Sequence, residues 1–260
     1  MISENIILNW KKNAPWRNLE MVEQDLILNR ALISLYNDKK IRDSLIFRGG
    51  TALNKIYLKP ASRYSEDLDF VQKDREMPGE IIEAVRTALD WLGKANYSQT
   101  EQCVKLVYRY NSINNLKMRL KIEINVSEHL QVMDASETPF EFKSDWFSGN
   151  CLILINPFEE LMATKIKALY QRRKGRDLFD VWLVFSRNFA DIDKSIQIFK
   201  KYCEKDEVII SEKMFRKNLE LKRLNPDFRS DMNQLLPDGT IWNFDEAFEY
   251  VARELISKIK

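Results

Sequence analysis

The 260-residue chain is most informative at Ser65-Glu-Asp-Leu-Asp-Phe70, where two carboxylates alternate with two apolar side chains. Because successive side chains of a strand point to opposite faces, a strand here would place Asp67 and Asp69 side by side. Two carboxylates in that position repel each other, and a divalent cation with oxygen ligands, such as Mg²⁺, would offset the repulsion. Taken alone, so short a motif is more often a solvated acidic turn than a metal site.

Downstream, strict alternation of apolar and polar side chains predicts a hairpin with one buried face. Its apolar positions are Val104, Leu106, Tyr108 and Tyr110 in the first strand and Met118, Leu120, Ile122, Ile124 and Val126 in the second. Glu123 falls on the polar face together with Lys121 and Asn125. It is therefore either a third metal ligand or an ordinary exposed strand residue.

A glycine-rich turn, Arg48-Gly-Gly-Thr51, follows a short predicted strand and precedes a helix predicted over Ala52 to Tyr57. Gly49 and Gly50 would let the backbone approach an oxyanion closely, and Thr51 is the predicted cap of the helix. The free N–H groups of a helix N-terminus suit a triphosphate. A tight turn without any ligand is an equally good interpretation of this motif by itself.

Composition excludes several classes of protein. A hydrophobic fraction of 45% allows a sizeable core, and seven glycines and seven prolines are too few for a low-complexity chain. No apolar stretch is long enough to span a bilayer, and we expect no signal peptide. Three cysteines without CxxC spacing suggest neither a disulfide framework nor a zinc site, so we expect a reducing cytoplasm.

The pattern changes from mixed to purely helical near Asn156, which predicts an α+β first domain (1–156) and an all-helical second domain (157–260). In the first domain we predict a helix from about Asn18 to Lys39 and a strand from Leu45 to Arg48. In the second domain, helices are predicted after Pro157, over Arg176 to Arg187 beyond a break at Gly175, and near Asp191 to Cys203, Ser211 to Arg223 and Phe244 to Lys258.

One charged side chain interrupts an apolar stripe in the helix after Pro157. The stripe consists of Phe158, Leu161, Met162, Ile166 and Leu169, and Lys165 lies in its middle. A buried lysine could snorkel to the surface or pair with a structural carboxylate. Because charged groups are rarely buried without purpose, we favour a lysine that contacts a nucleotide phosphate.

Charged residues surround the start of the next predicted helix. Asp177 and Asp180 face one way with Arg176, which fits an ion-pair network as well as a catalytic role. The preceding cluster, Arg172, Arg173, Lys174 and Arg176, either binds nucleic-acid phosphates or is simply a soluble helix end. Residues 165–229 hold seventeen basic and ten acidic side chains, whereas residues 65–102 hold four and nine.

Two groups of motifs together resemble the AbiEii family of nucleotidyltransferase toxins. The first group is Phe47-Arg-Gly-Gly-Thr-Ala-Leu-Asn-Lys-Ile-Tyr57 with Arg63-Tyr-Ser-Glu-Asp-Leu-Asp-Phe70. The second is Glu160-Leu-Met-Ala-Thr-Lys-Ile-Lys-Ala-Leu169 with Arg176-Asp-Leu-Phe-Asp180. The order of the motifs along the chain is far more specific than any single motif.

This resemblance implies a polymerase-β-like nucleotidyltransferase core with a mixed sheet, followed by a helical bundle that contributes to the active-site cleft. Matched by motif, the residues near the triphosphate would be Gly49, Gly50, Thr51, Arg63, Ser65 and Lys165. Asp67 and Asp69 would hold Mg²⁺ or Mn²⁺, and Lys165 and Asp177 would complete the catalytic site. Glu123 stands where the family frequently has an aspartate.

The resemblance also implies a biological role. The chain would be the toxin of a bacterial toxin–antitoxin or phage-defence pair, with a cognate antitoxin encoded nearby and no membrane partner. It would transfer a nucleotide from an NTP to RNA, in particular to the 3′ end of tRNA, and so block translation. The alternatives are an enzyme that modifies a protein and a module that binds NTP or nucleic acid without catalysis.

Overall fold

A computed structural model describes residues 2–259. The chain divides into two compact units, Met1–Asn156 and Pro157–Lys260. The first unit contains a seven-stranded mixed sheet with helices, and the described elements of the second are all helical, which confirms the predicted α+β class. None of the helices within residues 2–259 combines the length and the apolar character that crossing a membrane requires.

The first unit begins with three helices and ends with five consecutive strands. Its helices are α1 (Glu4–Trp10), α2 (Leu19–Tyr36), α3 (Lys39–Ser44), α4 (Gly49–Ala52) and α5 (Gly79–Ala88). Its strands are β1 (Leu45–Arg48), β2 (Asp67–Gln72), β3 (Asn96–Gln99), β4 (Cys103–Asn111), β5 (Lys117–Asn125), β6 (Ser136–Lys143) and β7 (Ser148–Ile155). A π-helical turn, Leu53–Tyr57, continues α4.

Helix α2 begins where the sequence predicts because the Asn18 side chain accepts a hydrogen bond from the backbone N–H of Met21 at 3.0 Å. It ends earlier than predicted, at Tyr36. Asp38 then caps α3 by accepting a hydrogen bond from the backbone N–H of Ile41 at 3.0 Å. The predicted end at Lys39 is therefore three residues too late, and Lys39 is the first residue of a separate helix.

The sheet has the strand order β3-β4-β5-β2-β1-β7-β6. Strand β2 lies inside it, antiparallel to β1 and parallel to β5, while β1 runs parallel to β7. Leu68 and Phe70 of β2 are buried, whereas Asp67 and Asp69 are half-buried on the opposite face. The predicted alternation is thus confirmed, and an interior strand carries both carboxylates.

Strands β4 and β5 form the predicted hairpin. They pair antiparallel from Cys103 opposite Asn125 to Asn111 opposite Lys117, and Asn115 in the turn has a φ of 58°. The side chains buried on one face of the hairpin are Val104, Leu106, Tyr108, Leu120, Ile122 and Ile124. Because side chains alternate along a strand, the odd-numbered positions of both strands share the other face.

The second unit consists, within its described residues, of helices joined by short connections. They are α6 (Phe158–Gln171), α7 (Gly175–Ser186), α8 (Ile192–Lys205), α9 (Glu212–Arg223), α10 (Pro226–Ser230) and α11 (Phe244–Tyr250), with a π-helical turn (Val251–Leu255) and a 3₁₀ turn (Ile256–Lys258) after α11. The predicted helices are confirmed to within a few residues. The short α10 was not predicted, because five residues do not establish a helical period.

The sequence predicts that Gly175 lies between two helices. In the structure, Gly175 is instead the first residue of α7. A Cβ atom at Gly175 would collide with the backbone oxygen of Phe228 in α10 and lie 3.2 Å from the Cβ of Asp231. The start of α7 therefore packs directly against the backbone of α10. Only a residue without a side chain permits this approach.

We expect Gly175→Ala to lower the free energy of unfolding by about 1–3 kcal/mol, because the added methyl group overpacks a contact with rigid backbone. Gly79→Ala is a matched control, since Gly79 is the first residue of α5 and an added Cβ would meet nothing within 4 Å. That control should be neutral or slightly stabilising. Thermal and urea unfolding of both variants measure the difference, and equal stabilities would contradict the proposed contact.

Candidate active site

Three carboxylates lie on the open face of the neighbouring strands β2 and β5. Asp67 and Asp69 lie two residues apart on β2, and Asp69 is directly opposite Glu123 in the parallel pairing of the two strands. Asp67 is likewise opposite Lys121. The register therefore brings Glu123 beside the pair of aspartates, which the alternation in each strand could not establish on its own.

Two lysines offset part of this negative charge. Lys121 Nζ lies 2.8 Å from an oxygen of Asp67 and 3.4 Å from an oxygen of Glu123, while Lys105 Nζ lies 2.8 Å from the other oxygen of Glu123. Burial pulls the pKa of Glu123 upward, but the hydrogen bond from Lys105 and the charge of Lys121 hold it below its usual value. Glu123 is therefore an anion engaged by two cations.

The donor chemistry of the aspartates fits a magnesium ion. Among residues 2–259, no three carboxylate, histidine or cysteine side chains are placed so that they could hold one metal ion. Mg²⁺ is usually bound by one or two carboxylates together with water and substrate phosphates, so Asp67 and Asp69 suffice on the protein side. Glu123 remains a predicted third ligand, and binding a cation would require it to release its lysines.

The glycines of the turn are needed for close approach to the site's own side chains. Gly49 has a φ of +80°, and a Cβ there would collide with a carboxylate oxygen of Asp69. A Cβ at Gly50 would lie 2.5 Å from an Arg63 guanidinium nitrogen and 3.2 Å from Ser65 Oγ. The side chains of Asp69, Arg63 and Ser65 thus pack directly against the backbone of the two glycines.

Thr51 has a different role from the one predicted. The helix begins at Gly49, so Thr51 lies inside its first turn and does not cap it. Its hydroxyl oxygen lies 2.8 Å from Ser65 Oγ and 2.5 Å from the backbone oxygen of Asp67. Thr51 is buried, and it ties the start of β2 to the glycine turn.

Asn54, which the sequence did not single out, positions the loop that precedes β2. Its side-chain N–H donates to the backbone oxygen of Gly50 at 3.0 Å. Its side-chain oxygen accepts hydrogen bonds from the backbone N–H groups of Ser62, at 3.0 Å, and Arg63, at 3.3 Å. Arg63 is buried, and its guanidinium donates to the backbone oxygen of Tyr64 at 3.0 Å. No local sequence signal marks such a contact.

In the second unit, the lysine on the apolar stripe of α6 is buried as predicted. Lys165 is 3% exposed, and its Nζ lies 2.8 Å from Asp180 and 3.8 Å from Asp177. Both aspartates of α7 are fully buried. The structure therefore pairs Lys165 with carboxylates of its own unit, the alternative that the sequence analysis did not favour.

Further cations complete this network. Arg172 makes a two-pronged contact with Asp177, with Nε and Nη2 at 2.6 and 2.8 Å from its two oxygens. Lys222 Nζ donates to the backbone oxygens of Leu169 and Tyr170 at the end of α6. Burial lowers the pKa of Lys222 to about 8, although the charge of Asp177 opposes this shift. The network fixes the turn between α6 and α7.

The predicted acceptor-binding cluster is divided between two roles. Arg172 is engaged by Asp177, and Arg176 Nη1 lies 3.8 Å from Asp231. Arg176 was expected to lie with Asp177 and Asp180, but its ion-pair partner is Asp231, directly after α10. Arg173 and Lys174 are exposed.

We expect Gly49→Ala to lower the melting temperature more than Gly93→Ala. Both glycines have a φ near +80°, which strains any other residue, but a Cβ at Gly93 would meet nothing within 4 Å. The two variants should also differ in free energy of unfolding by about 1–3 kcal/mol, which is the cost of the collision with Asp69. Equal melting temperatures would show that Asp69 does not depend on the glycine turn.

The chain is similar to a known protein family and to solved structures. The family model of the AbiEii toxin, described as a nucleotidyl transferase of type IV toxin–antitoxin systems, matches residues 30–250. MenT4, a nucleotidyltransferase toxin from Mycobacterium tuberculosis H37Rv, matches with a TM-score of 0.61 and 14% identity, over 100% of this chain and 90% of that chain. A crystal structure assigned as a nucleotidyltransferase from H. pylori matches with a TM-score of 0.55 and 16% identity, over 94% and 96%.

The family model shows the family of the chain, whereas the solved structures show its fold. A search of curated proteins gives no match, and at these identities the two structures show the fold alone. The family model covers most of the chain, including the glycine turn, the aspartates of β2 and the lysine of α6. The chain therefore belongs to the AbiEii family of nucleotidyltransferase toxins of type IV toxin–antitoxin systems, and it is a nucleotidyltransferase.

Proposed function

We propose that this enzyme transfers a nucleotide from an NTP to the 3′ end of tRNA in a reaction that depends on Mg²⁺ or Mn²⁺, and that this modification blocks translation. The observation that carries the proposal is the pair Asp67 and Asp69, adjacent on one face of an interior strand and backed by the Gly49-Gly50 turn. A divalent cation bound there supplies neutralisation of triphosphate charge and alignment for in-line displacement.

The protein side of the reaction is mainly positioning. Asp67 and Asp69 are the proposed metal ligands, with Glu123 as a third if Lys105 and Lys121 release it. The proposed contacts to the triphosphate are Gly49, Gly50, Thr51, Arg63 and Ser65, because the glycine turn and the loop before β2 are closely packed and joined by a hydrogen bond. Lys121 is an additional candidate for a phosphate contact, since it already neutralises the site.

In the second unit, we propose that Lys165 holds phosphate charge and that Asp177 supports it. Lys165 is a compact cation kept in place by Asp180. Arg173 and Lys174 are the proposed acceptor contacts of the cluster, because Arg172 and Arg176 are held by aspartates. A cognate antitoxin is the proposed protein partner, in keeping with the family.

The reaction itself is tested with each of the four labelled NTPs, purified tRNA and Mg²⁺. We expect one NTP to label tRNA, EDTA to abolish the labelling and added Mg²⁺ to restore it. A parallel incubation with cell extract distinguishes acceptors. Label found only in protein would replace the RNA acceptor with a protein, and labelling that is insensitive to EDTA would contradict the metal.

We expect Asp67→Asn and Asp69→Asn each to reduce transfer by about a hundredfold or more, because the change removes a charged metal ligand. The variants should remain folded, since the substitution keeps the shape of the side chain and relieves repulsion on this face. Asp74→Asn, just beyond the end of β2 and exposed, is the control. Transfer rates and melting temperatures are measured together, and full activity of either variant would refute the proposed site.

A double-mutant experiment separates the two roles of Lys165. We expect Lys165→Met alone to destabilise the second unit by about 3–5 kcal/mol, because it strips buried carboxylates of a cation. Adding Asp180→Asn neutralises the partner and should recover much of the stability, while Arg172 still engages Asp177.

If the stable double mutant still transfers at a tenth of the normal rate or less, about the effect of removing one charge-assisted hydrogen bond, Lys165 acts on the nucleotide. If transfer returns together with stability, Lys165 is purely structural. Lys201→Met, exposed on α8, is the control for removal of a lysine charge. Lys167→Met is less suitable, because Lys167 Nζ lies 2.7 Å from Asp206.

A further inference from the structure

The open face of the β4–β5 hairpin is strongly basic. Its odd-numbered positions include the cations Lys105, Arg109, Lys117, Arg119 and Lys121, against the single acid Glu123. This is the same face that carries Asp67 and Asp69 on the neighbouring strand β2. This positive charge lies in the same unit as the acidic stretch 65–102, just beyond the end of that stretch.

Three of these residues, Arg109, Lys117 and Arg119, are called the hairpin cations below. All three are exposed, and none of their side chains forms an ion pair or a hydrogen bond with any residue in the described range 2–259. Lys105 and Lys121, in contrast, are engaged by Glu123 and Asp67. The hairpin therefore presents positive charge that the protein itself does not neutralise.

The strand register makes this charge unfavourable in the absence of an anion. Arg109 lies directly opposite Arg119 in the antiparallel pair, and like charges in that position destabilise a sheet. Lys117 follows two residues away on the same face, about 7 Å along the strand. An arrangement that costs stability and serves no internal contact is the pattern expected of a binding surface.

The hairpin cations line a groove of about 670 Å³ together with Tyr110, Asn111, Met118 and a single carboxylate, Glu66. Glu66 immediately precedes Asp67, and Arg119 lies two residues from Lys121, the partner of Asp67. The groove therefore begins next to the proposed metal site and continues along β5. It is far larger than a single phosphate needs.

We infer that the hairpin cations bind the sugar–phosphate backbone of the RNA acceptor close to the end that reacts, an inference that rests on the proposed function. Cations spaced along a strand match a chain of phosphates, and each guanidinium can bind a phosphate with two parallel hydrogen bonds. A protein partner would be expected to find exposed apolar or aromatic anchors at the centre of the patch. Here Tyr110 and Met118 are half-buried, and the exposed lining of the groove is mostly charged.

The test replaces all three hairpin cations, as Arg109→Gln/Lys117→Gln/Arg119→Gln, and measures binding of unfractionated tRNA by fluorescence anisotropy at several salt concentrations. We expect affinity at physiological salt to fall about tenfold or more. The slope of log affinity against log salt should become shallower by about two to three, roughly one unit for each phosphate that the variant no longer neutralises. The variant should melt at the same or a higher temperature, because the repulsion between Arg109 and Arg119 is removed.

A control variant, Lys11→Gln/Lys12→Gln/Lys39→Gln, removes the same amount of charge from exposed positions elsewhere in the first unit. It should bind tRNA nearly as the wild type does. Binding of a fluorescent NTP should be unchanged in both variants, which shows that the nucleotide site is intact. The variant Arg173→Gln/Lys174→Gln, measured in parallel, shows how much of the tRNA affinity comes from the second unit.

The outcomes separate this inference from the proposed function. If wild-type enzyme labels tRNA and the hairpin variant binds tRNA with unchanged affinity and salt slope, the inference is wrong and the proposed function stands. If the control variant loses as much affinity as the hairpin variant, the effect is one of net charge and the inference is also wrong. If wild-type enzyme labels only protein, the acceptor was misidentified and the inference falls with it.

Discussion

Repulsion among carboxylates on one face of the sheet is the constraint on which the site depends. Asp67, Asp69 and Glu123 come together because β2 and β5 run parallel in one register. A protein can bring such groups together only if cations offset their charge. Lys105 and Lys121 do so here, and a bound metal ion would take over part of that role during catalysis.

The glycine turn follows from the same constraint. Asp69 has space only because Gly49 lacks a side chain, and Arg63 has space only because Gly50 lacks one. The buried Arg63 guanidinium therefore lies next to the turn, where its positive charge supports an anionic site. Thr51 and Asn54 then join the turn to the loop before β2 by hydrogen bonds. Backbone geometry, charge and hydrogen bonding thus agree on one arrangement.

In the second unit, a buried cation is compensated by carboxylates. Lys165 is enclosed among apolar side chains, so its charge must be compensated, and Asp177 and Asp180 compensate it. Arg172 and Lys222 hold the surrounding turn. The hairpin cations differ from this network because no side chain within residues 2–259 engages them, so their charge is available to a polyanion.

Local patterns in the sequence determined most of the secondary structure and part of the site. Alternation predicted that Asp67 and Asp69 share one face of β2 and that Glu123 lies on the polar face of β5, and helical periodicity predicted that Lys165 is buried. These predictions succeed because side-chain direction repeats with the geometry of each element. Chain register and partners distant in sequence are not encoded in any such period. Tertiary structure alone therefore placed Glu123 beside Asp69, gave Lys165 its aspartates and gave Arg176 the partner Asp231. It also revealed Arg109 opposite Arg119, because electrostatic energy depends on distance in space and not on distance along the chain.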